Sequence, residues 1–371
     1  MKITKIAAFV YRAPVSVPVQ TSFGIMYDRP MVLVRLEDER GTVGWGEVWC
    51  NFPSIGAEHR ARIVDVLLAP LIVEQEFDGP EALFNFLTSK MHVLILQTGE
   101  PGPFAQAIAG IDIAAWDLWA RRQGKPLWSV LGGSTDRIPV YASGLNPIDP
   151  ERVVDQRYRE GYRDFKLKVG FGSEVDVTNL KRIRGVADDL NVMADANQAW
   201  ELETALVEAG ALAEHGLGWL EEPLRADRPW QEWSDLAQAC GVPLAAGENV
   251  AGRDDFAGLI ASKAVAVVQP DLAKWGGITE CTPVAREVLT AGRRYCPHYL
   301  GGGIGLLASG HVLAAVGGDG MLEIDSNANP LRTLLCGSLN DVSEGGAGLG
   351  DAPGLGVVPD LEKLSTYLRP H

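Results

Sequence analysis

Between residues 138 and 325 short apolar runs alternate with segments of helical length, and this alternation restricts the fold more than any other feature of the chain. The runs cover 138–143, 164–169, 191–196, 218–221, 243–248, 264–270, 293–298 and 320–325. Strands separated by helices pair in parallel through right-handed crossovers. Eight evenly spaced units favour a closed β/α barrel over a doubly wound open sheet.

The first part of the chain has a different texture. Residues 2–11, 31–37 and 44–48 read as strands, and residues 57–73 and 104–122 as helices, with Pro103 near a helix start. The run Ala107 to Trp116 is apolar on most faces, which predicts a buried helix. The tail from 327 is rich in Gly and Asp, passes through Gly354-Leu355-Gly356-Val357-Val358, and is expected to return to the N-terminal part. At 371 residues the chain exceeds the usual range of a single core, so two domains are expected.

A net charge of -15 argues against nucleic acid and against an anionic membrane surface. It does not oppose an acidic substrate, because a bound cation and local lysines can reverse the sign within a pocket. The five cysteines are scattered without a CxxC pair, which fits a reducing cytoplasm better than a disulfide framework or a zinc site. The N-terminus lacks the pattern of a signal peptide, and no apolar run is long enough to span a bilayer.

Barrel enzymes place their chemistry at the C-terminal strand ends, so the residues closing each run form a candidate site. Asp195 closes Val192-Met193-Ala194, Glu221 follows Trp219-Leu220, and Glu248 closes Leu244-Ala245-Ala246-Gly247. A single such carboxylate would be an ordinary solvated loop residue. Three converging from successive strands would form an oxygen cage for a hard divalent cation. Lys166 and Lys168 project from one face, roughly 7 Å apart along the strand. Phe165, Leu167 and Val169 hold the opposite, helix-facing positions. Two inward ammonium groups so close would depress each other's pKa and leave one as a base near neutrality. His298 and Asp271 close adjacent runs, so the carboxylate can hold the imidazole. Glu323 closes the eighth run and could bond a substrate oxygen, either as an acid or as a charged acceptor, or form a salt bridge. Lys274 is a further candidate base. Gly301, Gly302, Gly303 and Gly305 could offer N–H groups to an anion, although a flexible loop is the simpler reading. No Walker pattern, Rossmann fingerprint or serine elbow is present. These parts describe a site that removes a weakly acidic proton beside a carboxylate and stabilises the enediolate with a metal and Lys166.

The motifs Gly44-Trp45-Gly46-Glu47, Asp117-Leu118-Trp119, Pro126-Leu127, Leu131-Gly132-Gly133, Lys166-x-Lys168, Asp195-x-Asn197, Glu221-Glu222-Pro223, Gly247-Glu248-Asn249, Asp271 and His298 occur in this order along essentially the whole chain. As a set they resemble the mandelate racemase subgroup of the enolase superfamily. The resemblance implies an α/β fold, a (β/α)7β TIM-like barrel at 126–326 with an α+β capping domain made from 1–125 and completed by 327–371. It implies one Mg²⁺ per subunit on Asp195, Glu221 and Glu248, with Asn197 nearby. Lys168 would be one base, its pKa lowered by Lys166, and His298 paired with Asp271 the opposing base or acid. Glu323 would bond the substrate carboxylate. Related lactonizing enzymes use the lysine corresponding to Lys274, and the presence of His298 points away from that use. The partner is a small carboxylate molecule, and a homo-oligomer is expected.

The same site supports two reactions. With a β-hydroxyl, His298 can protonate the leaving group and the product is a 2-keto-3-deoxy acid. Without one, reprotonation from the opposite face gives racemisation or epimerisation. Dehydration of a sugar acid is the favoured expectation, by analogy with most of the subgroup. A catalytically silent, metal-dependent binding protein is the third reading. Specificity is expected from residues 15–28, with Thr21 and Tyr27, and from residues 49–54, with Asn51.

Overall fold

The computed structural model describes residues 1–20 and 24–371. Three antiparallel strands open the chain: β1 (Ile3–Gln20), β2 (Ile25–Asp38) and β3 (Val43–Val48). Alternation along β2 explains its continuous apolar run. Val32, Val34 and Leu36 face the core of the N-terminal helices, while Met31 and Leu33 join the core shared with the barrel. The β1–β2 hairpin is longer than the sequence reading allowed, pairing Val19 with Met26 and Gln20 with Ile25. Much of the segment expected as a specificity loop is therefore strand, its β-branched residues keeping the extended chain.

The helical run 57–73 is interrupted by a π-helical stretch at Ile63–Leu68. A helix absent from the sequence reading spans Pro80–Thr98. It buries Leu83, Leu87 and Met91 but also exposes Val93 and Leu96, so no clean apolar stripe marks it. The Pro101–Arg122 helix is buried over most of its length, as its composition predicts.

Eight parallel strands follow: β4 (Arg137–Leu145), β5 (Asp164–Lys168), β6 (Asn191–Asp195), β7 (Leu220–Glu221), β8 (Leu244–Ala246), β9 (Val265–Val268), β10 (Arg294–Tyr295) and β11 (Leu322–Asp325). Each pairs with its predecessor up to β10, and β11 pairs with β4 (Leu322 opposite Val140). The last strand lying beside the first curls the sheet and rules out the open doubly wound alternative. At the remaining seam the Met321 amide donates to Cys296 Sγ at 3.4 Å. Tyr141, Met193, Trp219, Ala245, Val267, Cys296 and Met321 form the interior core, and β5 contributes Lys166 in place of an apolar residue.

The ladders end earlier than the runs suggest. Glu248 stands two residues beyond β8, and Asp271 and His298 three beyond β9 and β10. Gly247 (φ 145°) turns the chain out of the sheet where a Cβ would lie 2.7 Å from the Gln269 nitrogen. Pro270 and Pro297 have no N–H to continue a ladder. In the tail, β12 (Gly346–Gly348) runs antiparallel to β4, and β13 (Leu368–Arg369) lies along β1. No helix among the described residues is long and apolar enough to cross a membrane.

Candidate active site

A simple rule places most of the site. Two residues beyond each interior core position the next inward-facing side chain begins the open end of the barrel. Tyr141 leads to Ser143, Lys166 to Lys168, Met193 to Asp195, Trp219 to Glu221, Val267 to Gln269, Cys296 to His298 and Met321 to Glu323. The exception is β8, where Gly247 takes that position and Glu248 turns inward after it.

The three strand-end carboxylates each meet a cationic or basic group. Lys168 Nζ lies 2.6 Å from both Asp195 Oδ2 and Asn197 Oδ1. Lys166, 1 % exposed, donates to both Glu221 oxygens at 2.7 and 2.8 Å and lies 2.8 Å from Glu323 Oε1. His298 Nε2 is 2.5 Å from Glu248 Oε2, and its Nδ1 is 2.8 Å from Asp271 Oδ2. Asp271 is itself held, its Oδ1 accepting the N–H groups of Ala273 and Lys274. No three acidic, cysteine or histidine side chains stand at metal-ligand spacing among the described residues. The bases are interposed between the carboxylates.

The electrostatics correct one expectation. Burial pulls both lysines down, yet Glu221 and Glu323 hold Lys166 well above the ordinary value, and Asp195 holds Lys168 above it against the repulsion of Lys166. The lysines do not leave one another neutral, because facing carboxylates outweigh the like charge. Glu323 is pushed up by burial but held down to about 2 by Lys166 and His298. It is therefore a charged acceptor, also bonded by Ser143 Oγ and by the Tyr299 amide at 3.3 Å. Burial pushes Glu221 up to about 7 despite Lys166.

Other predicted residues have mixed placements. Lys274 Nζ lies 3.1 Å from Asn249 Oδ1, 3.6 Å from Glu248 Oε1 and 4.9 Å from the Trp49 ring centroid, at the rim of the same cluster. Asn51 donates to the Leu300 carbonyl at 2.6 Å, and Tyr27 is 72 % exposed. Both line a cavity of about 400 Å³ with Arg12, Met26 and Phe52. Thr21 lies outside the described residues. Arg29 pairs with Asp325 at 2.8 Å, and Arg332 approaches the same carboxylate. The glycine run does offer its N–H groups to a carboxyl, but an internal one: Glu47 accepts from Gly302 at 2.5 Å and Gly305 at 3.0 Å.

Gln269 and Ser143 were not singled out by the sequence reading, and Asn249 entered it only within the Gly247-Glu248-Asn249 motif. Gln269 donates to Glu221 at 2.6 Å, and Asn249 joins Glu222, at 2.9 Å, to Glu248, at 2.8 Å. The period-two step from Val267 and Tyr141 was the available signal for the first two.

Residues 150–364 match the model of the enolase C-terminal domain-like family, and residues 5–132 match that of the mandelate racemase / muconate lactonizing enzyme N-terminal domain. A mandelate racemase/muconate lactonizing enzyme structure from Bordetella bronchiseptica RB50 is 55% identical, covers 99% of both chains and superposes with a TM-score of 0.94. A racemase from Streptomyces coelicolor with bound magnesium is 27% identical over 99% of this chain and 100% of that one, with a TM-score of 0.87. Arabinonate dehydratase of Saccharolobus solfataricus is 30% identical over 89% of this chain and 88% of its own length. Further relatives include cycloisomerases and racemases. With both parts matched and the barrel and capping sheet in place, the chain belongs to the mandelate racemase/muconate lactonizing enzyme group of the enolase superfamily.

Proposed function

We propose that the protein removes the proton α to the carboxylate of a small acid, and that this acid is a sugar acid dehydrated to a 2-keto-3-deoxy acid. The observation that carries the reading is the arc of Asp195, Glu221 and Glu248 flanked by Lys168 from β5 and His298 from the loop after β10. The donor set suits Mg²⁺, which prefers carboxylate oxygens. The charge balance agrees. Among the described residues six carboxylates (Asp195, Glu221, Glu222, Glu248, Asp271, Glu323) face Lys166, Lys168, Lys274 and His298. Burial pushes Glu221 and Glu222 up toward their neutral forms; with all six ionised and the imidazole protonated, the cluster would be two positive charges short, the charge of one divalent cation.

Asp195, Glu221 and Glu248 would hold that ion, which supplies positive charge to a substrate carboxylate and so acidifies the neighbouring C–H. Lys168 would accept the proton as a neutral amine once Asp195, the carboxylate that now holds it charged, is engaged by the cation. Lys166, fixed between Glu221 and Glu323, faces the negative charge that develops. Asp271 holds His298 Nδ1, which confines proton exchange to Nε2 on the interior side. From there His298 delivers a proton to a departing β-hydroxyl. On a substrate lacking that group the same pair of bases would invert the centre, the reading favoured by the racemase relatives.

Incubation with magnesium in D2O and a panel of sugar acids and α-substituted acids tests the proposal. Deuterium incorporation with a 2-keto-3-deoxy product is expected. Exchange with loss of optical rotation and no keto product would move the assignment to racemase or epimerase. No exchange with any acid would leave a metal-dependent binding protein and refute catalysis.

A further inference from the structure

We propose that Glu47 and Asp112 are positioning residues, two carboxylates of the capping part that fix the separation and orientation of the His298–Asp271 dyad. The inference rests on the reading of His298 as an acid or base. Glu47 and Asp112 are 2 % and 1 % exposed, so neither faces solvent. Each sits at the N-terminus of a barrel helix that lacks a capping side chain of its own.

The Gly303–Val316 helix begins five residues after His298, and the Gly277–Thr290 helix six after Asp271. Glu47 accepts from Gly302 and Gly305. Asp112 accepts from the amides of Ile278 at 2.7 Å and Thr279 at 3.0 Å, and from the Thr279 hydroxyl at 2.6 Å. The two carboxyl groups thus satisfy orphan donors at the helix starts.

The links back to the dyad are short and hydrogen-bonded along their length. On one side the Tyr299 amide is held by Glu323, the Leu300 carbonyl by Asn51 and the Gly301 carbonyl by Asn329, leading to Glu47. On the other side the Asp271 carbonyl accepts from Lys274 and Trp275, and Leu272 from Gly277, leading to Asp112. The elements that carry Glu47 and Asp112 are in turn packed against each other. β3 and the Pro101–Arg122 helix touch backbone to backbone, where a Cβ on Gly46 would lie 2.0 Å from the Gly110 oxygen. The gap between imidazole and carboxylate is therefore framed by a rigid pair of elements outside the barrel.

The test compares the isosteric variants Glu47→Gln and Asp112→Asn with the parent enzyme. It reads the downfield Nδ1–H resonance of His298 in ¹⁵N-histidine-labelled protein (assigned by its loss in His298→Asn), magnesium affinity, and kcat and KM for α-proton exchange. Both variants should displace or broaden the resonance and lower kcat about tenfold, with KM and magnesium affinity changed less than about twofold. Thr279→Val removes one donor to Asp112, leaves the carboxylate buried and should move the resonance in the same direction by less. It decides the matter should the other variants not fold. An unmoved resonance overturns the proposal. Should the parent enzyme exchange no acid, the proposed function fails while the resonance still decides this inference.

Discussion

His311 lies inside the Gly303–Val316 helix with its Nδ1 accepting the Trp128 amide at 3.0 Å, and burial pulls its pKa from 6.5 down to about 4. The unfolded chain takes up a proton below 6.5 that the folded chain refuses. Stability is therefore complete above pH 6.5 and declines as the pH falls toward about 4, by at most about 3 kcal/mol from this residue. Urea unfolding at pH 7 and pH 5 should show the parent losing about 2 kcal/mol more than His311→Gln. Equal losses would mean that the imidazole is solvated. Within the site, Lys168→Ala and His298→Asn should each reduce turnover by at least about a hundredfold. Magnesium affinity should hold or rise in both, since each substitution removes a group now resting on Asp195 or Glu248. Calorimetric titration measures this, and retained turnover in both variants would refute the assignment of bases. At this scale the sequence was most legible where charged residues follow apolar runs. Asn51 and the capping residue Glu47 were harder to read, because their partners, Leu300 and the glycine run, are some 250 residues away in the chain.

Between elements, the decisive contact is that of β3 with the Pro101–Arg122 helix. Gly44, Gly46 and Gly110 allow backbones to meet there, and a methyl group at Gly46 would collide with main-chain atoms that have nowhere to move. Gly46→Ala is expected to cost about 3 kcal/mol or more in denaturant unfolding. A cost below about 0.5 kcal/mol would show that the two elements are free to separate. The apolar run 31–37 made the centre of β2 readable, and the period of two made the inward face of β5 readable. The Pro80–Thr98 helix escaped notice because Val93 and Leu96 lie on its exposed side. The strand ends at Glu248, Asp271 and His298 were placed in the ladder by composition, whereas glycine and proline had already released the backbone.

Across the whole molecule, the open end of the barrel stores an excess of negative charge that its lysines and one imidazole balance only in part. A divalent cation that binds the folded chain alone should stabilise it by mass action, by about 2.7 kcal/mol at a hundredfold excess over its Kd. Thermal unfolding with and without magnesium should show the melting temperature rise in the parent and not in Glu221→Gln. A shift of equal size in that variant would place the ion elsewhere. The tail joins both halves: β12 lies on β4, β13 on β1, and the Leu355 amide donates to Asp117 at 2.7 Å.

Periodicity and residue chemistry by themselves favoured the barrel, the inward face of the Lys166–Lys168 strand and the set of carboxylates, lysines and histidine at the strand ends, because these depend on neighbours two to four positions apart. Only the tertiary structure decided which base rests on which carboxylate, that Glu323 is charged, and that Glu47 rather than a ligand fills the glycine-rich turn. Those outcomes depend on distances between segments far apart in the chain, and on burial, which no local pattern of residues encodes.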